Sequence, residues 1–177
     1  MAKVAVVYHS GYGHTQRVAE FVAKGAGADL VMIDADGNVT DAQWATLDAA
    51  DAIIMGSPTY MGMASWQFKK FADATSKKWF TSAWKDKVAG GFTVSAGLSG
   101  DKLSTLQYFM TLSMQQGMIW VGQPQMGDGN INRLGSYSGV MAQCGAQDSA
   151  DKIPQGDLDT AHAYGKRLAE VAAKLRG

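Results

Sequence analysis

Three short stretches rich in glycine, serine and threonine carry the residues best suited to chemistry. The first, His9-Ser10-Gly11-Tyr12-Gly13-His14-Thr15, lies between an apolar run and a helical pattern. Hydroxyls of Ser10 and Thr15, glycines at 11 and 13, and amides converging on the positive end of a helix form a cradle for a phosphate group. The stretch lacks the lysine of Gly-x-x-x-x-Gly-Lys-Ser/Thr, which disfavours nucleoside triphosphates. It also lacks the third glycine of Gly-x-Gly-x-x-Gly, so the dinucleotide fingerprint is incomplete. A phosphate monoester held by neutral groups fits best, with Arg17 in the first helical turn placed to assist, and an ordinary strand-to-helix turn is the alternative.

The second stretch, Ser57-Pro58-Thr59-Tyr60-Met61-Gly62-Met63, is stiffened by its proline and offers an apolar, polarizable surface. Such a surface suits a planar aromatic ring, while free backbone amides can bond ring nitrogens and carbonyls. Core packing of the same residues is the alternative. The third, Ser95-Ala96-Gly97-Leu98-Ser99-Gly100, has little side-chain bulk and lets backbone approach a ligand closely.

The elements that must position these stretches alternate between two periods. Lys3–Tyr8 reads as a buried parallel strand and Thr15–Ala26 as a helix, with Gly25 and Gly27 as its stop. Leu30–Ile33 is a second strand, and Thr40–Leu47 a helix capped by Thr40, whose Trp44 packs into the core. Ala52–Met55 is a third strand broken at once by Gly56-Ser57-Pro58, with a loop to Gly62 and a helix over Ala64–Thr75. Val88–Val94 is a fourth strand, followed by a helix from Asp101, and Met118–Val121 is a fifth. Gly122–Gly156 has little periodicity and reads as a long loop, in which Tyr137 and Met141 are candidates for stacking on a ligand. Asp157–Leu175 closes the chain as an amphipathic helix.

Five strands alternating with helices predict an α/β fold: a doubly wound parallel sheet of order 2-1-3-4-5 with helices on both faces, over a single domain spanning 1–177. A ligand in such a sheet sits at the carboxyl ends of the strands. All three stretches end strands there.

The composition narrows the partners. Lys plus Arg and Asp plus Glu each total 16, so nothing pulls the chain toward nucleic acid or an anionic membrane. The N-terminus shows no targeting signal and no long apolar stretch follows, which gives the expectation of a cytoplasmic protein. Cys144 is the one cysteine, read as a buried free thiol, and the scattered histidines His9, His14 and His162 predict no metal.

On Ser10-Gly-Tyr-Gly-His-Thr15, Gly56-Ser-Pro-Thr-Tyr-Met-Gly62, the Phe71-x-Asp73-x-Thr75 helix end and Gly117-Met-Ile, nearly the whole chain resembles the WrbA-type NAD(P)H:quinone oxidoreductases, a flavodoxin-like, FMN-binding family. The resemblance implies that Ser10, Gly11, Tyr12, Gly13, His14 and Thr15 hold the FMN phosphate. It further implies that Pro58, Thr59, Tyr60, Met61 and Gly62 line the flavin ring, and that Ser95, Ala96, Gly97, Leu98, Ser99 and Gly100 touch its polar edge. Tyr12 and Trp79 match positions near the nicotinamide and substrate pocket, although Trp79 reads equally well as a packed aromatic at a subunit contact. Gln115-Gln116 stand where the family has a His pair, so Gln115 falls beside the cofactor with a group that bonds but does not titrate near neutrality. Trp44, Trp66, Trp84 and Trp120 read as core or interface residues. NADH or NADPH would give a hydride to the flavin and a quinone would then take two electrons, with no side chain needed as acid, base or nucleophile. The segment from Leu30 to Asp51 is shorter than the family's, and a homo-oligomer, dimer or tetramer, is implied.

Two other functions are compatible with such a fold. A flavodoxin-type electron carrier docking on partner proteins would be markedly acidic, whereas this chain is neutral. A cofactor-free scaffold would have no use for Ser10, Gly13 and Thr15 together at a helix start.

Overall fold

The computed structural model describes residues 2–176. Its centre is a parallel sheet of β1 (Val4–Tyr8), β2 (Asp29–Met32), β3 (Ala52–Tyr60), β5 (Val88–Ser95) and β6 (Ile119–Trp120), in the order β2-β1-β3-β5-β6. This is the expected doubly wound order, because each parallel pair needs a crossover helix. Two short strands are added to it: β4 (Met63–Ala64) runs antiparallel to β3, and β7 (Val140–Gln143) pairs with β5 beyond β6.

The helices divide between the faces. On one, α1 (His14–Ala26) and α6 (Gln155–Leu175) cover Val4, Val6, Ile54, Val88 and Phe92 with Val18, Val22, Ala161 and Leu168. On the other, α2 (Asp41–Ala49), α3 (Trp66–Ala74) and α5 (Lys102–Gln115) cover Ala5, Val7, Ile53 and Met55 with Leu47, Phe68, Phe71, Leu106 and Phe109. A short α4 (Ser76–Phe80) follows α3. Trp44 stacks on Phe71 at 5.2 Å, and Trp84 is buried with its indole nitrogen donating to Asp48 Oδ1 at 2.9 Å. Trp66, by contrast, is exposed.

Local chemistry explains where the sequence expectations shift. Gly25 is no stop: α1 runs on to Ala26 and ends at Gly27 in the left-handed region, φ 61°. Gly25 instead lets α1 and α6 cross closely, since a methyl there would overlap the His162 carbonyl, and Gly165 on α6 faces the Val22 carbonyl in the same way. Thr40 caps α2 as expected, within a full capping box with Gln43.

The third strand does not break at Gly56. It continues in register with β5 through Ser57↔Thr93 and Pro58↔Val94. Gly56 spends its carbonyl on the His9 amide, so its neighbour two residues on, Pro58, turns its missing N–H toward the side where β1 has already ended. Tyr60 and Met63 then pair across a two-residue turn in which Met61 and Gly62 have φ 48° and 78°, a type I′ connection. The expected loop is the end of a strand and a tight hairpin.

The fifth strand position is filled by two segments. Ile119–Trp120 pairs with the start of β5 and Val140–Gln143 with its end, with residues 121–139 between them. Residues 122–156 are therefore not one structureless loop, and a short 3-10 helix at Ala150–Lys152 leads into α6. No helix among the described residues is long and apolar enough to cross a membrane.

Candidate active site

A cavity of about 530 Å³ opens at the carboxyl ends of β1, β3 and β5. From the first stretch Gly11, Tyr12, His14 and Thr15 line it, from the second Pro58, Thr59 and Tyr60, and from the third Ser95 and Ala96 with Val94.

The first stretch is built as a donor cradle. Gly13 adopts φ 85°, a conformation that costs other residues roughly 1–2 kcal/mol. Ser10 Oγ accepts the Gln16 amide at 3.1 Å, and Arg17 N donates to the Gly13 carbonyl at 3.0 Å, which fixes the start of α1. Among the described residues the amides of Gly11, Tyr12, Gly13, His14 and Thr15 donate to no protein acceptor. Five unpaired donors around a helix N-terminus are the groups that an anion satisfies. Arg17 does not assist: its guanidinium lies over the Phe21 ring at 4.8 Å and pairs with Glu20.

Behind the cavity two polar clusters tie its walls together. His9 Nδ1 and Ser65 Oγ are 2.9 Å apart, and Ser57 Oγ accepts the Ser65 amide at 2.9 Å, all three residues being buried. Burial holds His9 below the usual histidine range. Thr59 Oγ1 meets Thr93 Oγ1 at 2.8 Å and Thr105 Oγ1 at 2.7 Å, joining β3, β5 and α5. At the mouth, the Tyr12 ring is exposed and packs edge-on against Tyr60 at 6.4 Å. The Tyr60 hydroxyl is raised, first by burial and then by Tyr12.

Several expected site residues lie elsewhere. Met61 projects fully into solvent from the hairpin turn beside Gly62, and neither lines the cavity. In the third stretch only Ser95 and Ala96 reach it. Gly97 turns back, its carbonyl accepting from Lys102 Nζ at 2.6 Å, and Leu98 and Ser99 face a separate groove with Arg133 and Leu134. Gly100, at φ 54°, closes that turn against Ser95. Trp79 and Gln115 line a second cavity of about 330 Å³ between α3, α4 and α5, sharing no residue with the first. Within one chain they are not part of the same site.

The sequence reading missed the fourth wall. Cys144, Ala146, Gln147 and Asp148, just past β7, complete the cavity, and the Asp148 carbonyl lies 2.7 Å from His14 Nε2. The Gly and Ser content of 122–156 hid this contribution, because only the pairing of β7 with β5 carries the segment back over the sheet. The Cys144 thiol is buried and raised by that burial.

Residues 3–133 match the family model described as NADPH-dependent FMN reductase. The chain belongs to this family. Within the FMN reductase family it is of the WrbA type: it is 53% identical, at a TM-score of 0.84, to a flavodoxin, WrbA-like protein from Agrobacterium tumefaciens, covering 98% of this chain and 99% of that one. It is 49% identical to flavodoxin FldP of Pseudomonas aeruginosa, over 99% of both chains. It is also 34% identical to an NAD(P)H dehydrogenase (quinone) of Geobacter sulfurreducens, over 98% of this chain and 99% of the relative.

Proposed function

We propose that the chain is an FMN-dependent NAD(P)H:quinone oxidoreductase acting as one domain. The observation that carries this reading is the row of five unpaired amides from Gly11 to Thr15, beside a cavity of flavin size that Gly11, Tyr12, His14 and Thr15 line between strand ends. The residues present fit FMN. The Gly11–Thr15 amides with Thr15 would hold its phosphate, Pro58–Tyr60 would flank the ring, and Ser95 and Ala96 would face its polar edge.

When bound, FMN would supply the redox chemistry, a two-electron exchange between NADH or NADPH and a quinone-type acceptor. The chain's own residues do the rest. Tyr12 and Tyr60 screen the mouth and offer aromatic faces to a nicotinamide or quinone. The His9-Ser65-Ser57 and Thr59-Thr93-Thr105 clusters fix the walls, so that little reorganisation is needed when charge develops.

The second cavity, with Trp79, Tyr108 and Gln115, shares Lys69, Asp73 and Tyr108 with a groove at Met63 and Trp66, and Phe80 and Met114 are exposed nearby in sequence. So much exposed apolar surface supports a homo-oligomer, dimer or tetramer, measurable by light scattering. A cytoplasmic location accords with one reduced, buried thiol.

The test is a visible spectrum of the purified protein with FMN, then anaerobic addition of NADH or NADPH. Bleaching of the flavin bands, with turnover when a quinone is added, is the expected result. The Pseudomonas and Agrobacterium relatives carry the name flavodoxin, and the second reading is an electron carrier. FMN binding without bleaching would select it, and failure to bind FMN would remove both.

A further inference from the structure

Behind the Ser95–Ala96 wall lies a buried charge that the site described above does not use. Lys102, in the first turn of α5, is fully buried. Its Nζ donates to Ser95 Oγ at 2.7 Å and to the Gly97 carbonyl at 2.6 Å. Nearby, Arg133 and Asp157 form a two-pronged pair at 2.8 and 2.9 Å, the Asp157 carboxylate also accepts the Gln143 amide, and Gln143 Nε2 donates to the Ala96 carbonyl at 2.9 Å. The arginine and the aspartate cancel, which leaves the lysine as the net charge of this cluster. Burial of an ammonium is costly, and a hydrophobic side chain of similar length would fill the same space without that cost.

We propose that Lys102 is a positioning residue for the cofactor: it clamps the Ser95–Gly97 turn and sets one positive charge behind the cavity wall, so that bound FMN is held more tightly when reduced than it would be beside a neutral residue. This rests on the reading that FMN occupies the cavity with its polar edge at Ser95–Ala96. Reduction puts negative charge on that edge of a flavin, and charge placed near it is a main means by which a protein tunes the ring. Burial pulls the lysine down to about 8, with Arg133 pulling the same way and Asp157 opposing, so the amine is mostly protonated at neutral pH. A unit charge within roughly 10 Å, at an effective dielectric near 20, is worth on the order of a tenfold change in binding an anion.

The experiment measures the dissociation constant of oxidised FMN by fluorescence and the midpoint potential of the bound flavin by anaerobic dye equilibration. From these comes the ratio of reduced to oxidised affinity for wild type, Lys102→Met, Lys102→Gln and Lys102→Arg. Methionine removes charge and clamp, glutamine removes the charge but keeps donors for Ser95 and Gly97, and arginine keeps the charge. The expected result is a ratio lowered roughly tenfold in both neutral variants and restored in the arginine variant. An unchanged ratio in Lys102→Gln overturns the proposal, as does equal weakening of both redox forms, which marks a purely structural lysine. Loss of all FMN binding in both neutral variants has the same meaning. Failure of the wild type to bind FMN strikes the underlying reading instead, so the two failures are separable.

Discussion

Ser65 Oγ lies 2.9 Å from His9 Nδ1 and joins the residue before the phosphate cradle to the cap of α3. The same serine gives its amide to Ser57 Oγ. Replacement by alanine strands the buried His9 Nδ1 and uncaps the Phe68 amide at the start of α3, while the backbone amide of residue 65 still reaches Ser57 Oγ. Ser65→Ala should therefore cost about 2–3 kcal/mol, read as a lower urea midpoint at unchanged m. FMN affinity should fall with it, because His9 and Ser57 anchor two walls of one cavity. A variant as stable as the wild type would show that the cluster is idle.

Gly13 holds φ 85° at the start of α1. An alanine there must adopt the left-handed region, at about 1–2 kcal/mol, or move the amides of the cradle. Gly13→Ala is expected to weaken FMN binding at least tenfold in a fluorescence titration, while Gly27→Ala, also left-handed but at the far end of α1, lowers stability only. Equal FMN affinities in the two variants would contradict the role given to the cradle.

Stability should depend on pH through Lys102. The folded protein pulls its lysine down to about 8, so between pH 8 and the ordinary lysine value the unfolded chain binds more protons and stability rises with pH. Over pH 8–9.5 the urea stability of the wild type should gain on that of Lys102→Met as pH increases. His9 acts at the other end: its folded value is lowered, so stability falls as pH drops below about 6.5, where the unfolded histidine takes up its proton. A stability curve flat from pH 7 to 5 would contradict this.

Cys144 should be chemically silent in the folded state. Its thiol is buried and raised, first by burial and then by Asp148 and Asp151. Iodoacetamide at pH 7.5 should label it only as fast as the cavity wall opens, and rapidly in urea. Fast native labelling that FMN does not slow would place the thiol outside the cavity.

The alternation of strands and helices, the Gly11–Gly13 turn and the Thr40 cap were legible from sequence because each rests on a local pattern. Val4–Tyr8 is a continuous apolar run, Gly11-Tyr12-Gly13 sits between strand and helix, and Thr40 stands directly before a helical pattern. Such patterns report what a segment can do without its neighbours. The extension of β3 through Pro58 was not legible, because a proline is allowed there only once β1 has ended on that side.

The sequence by itself determined an alternating α/β chain whose glycine-rich turns gather at one edge of a parallel sheet, since hydrophobic period and turn chemistry are properties of neighbouring residues. Only the tertiary structure decided which turn residues face the cavity. It turned Gly97 back onto Lys102, sent Trp79 and Gln115 to another cavity, and brought Cys144–Asp148 over the site through a strand 20 residues after β6. The Gly97 turn meets a lysine only five residues on, but the other placements depend on packing and pairings between residues distant along the chain, which exist only once the sheet has formed.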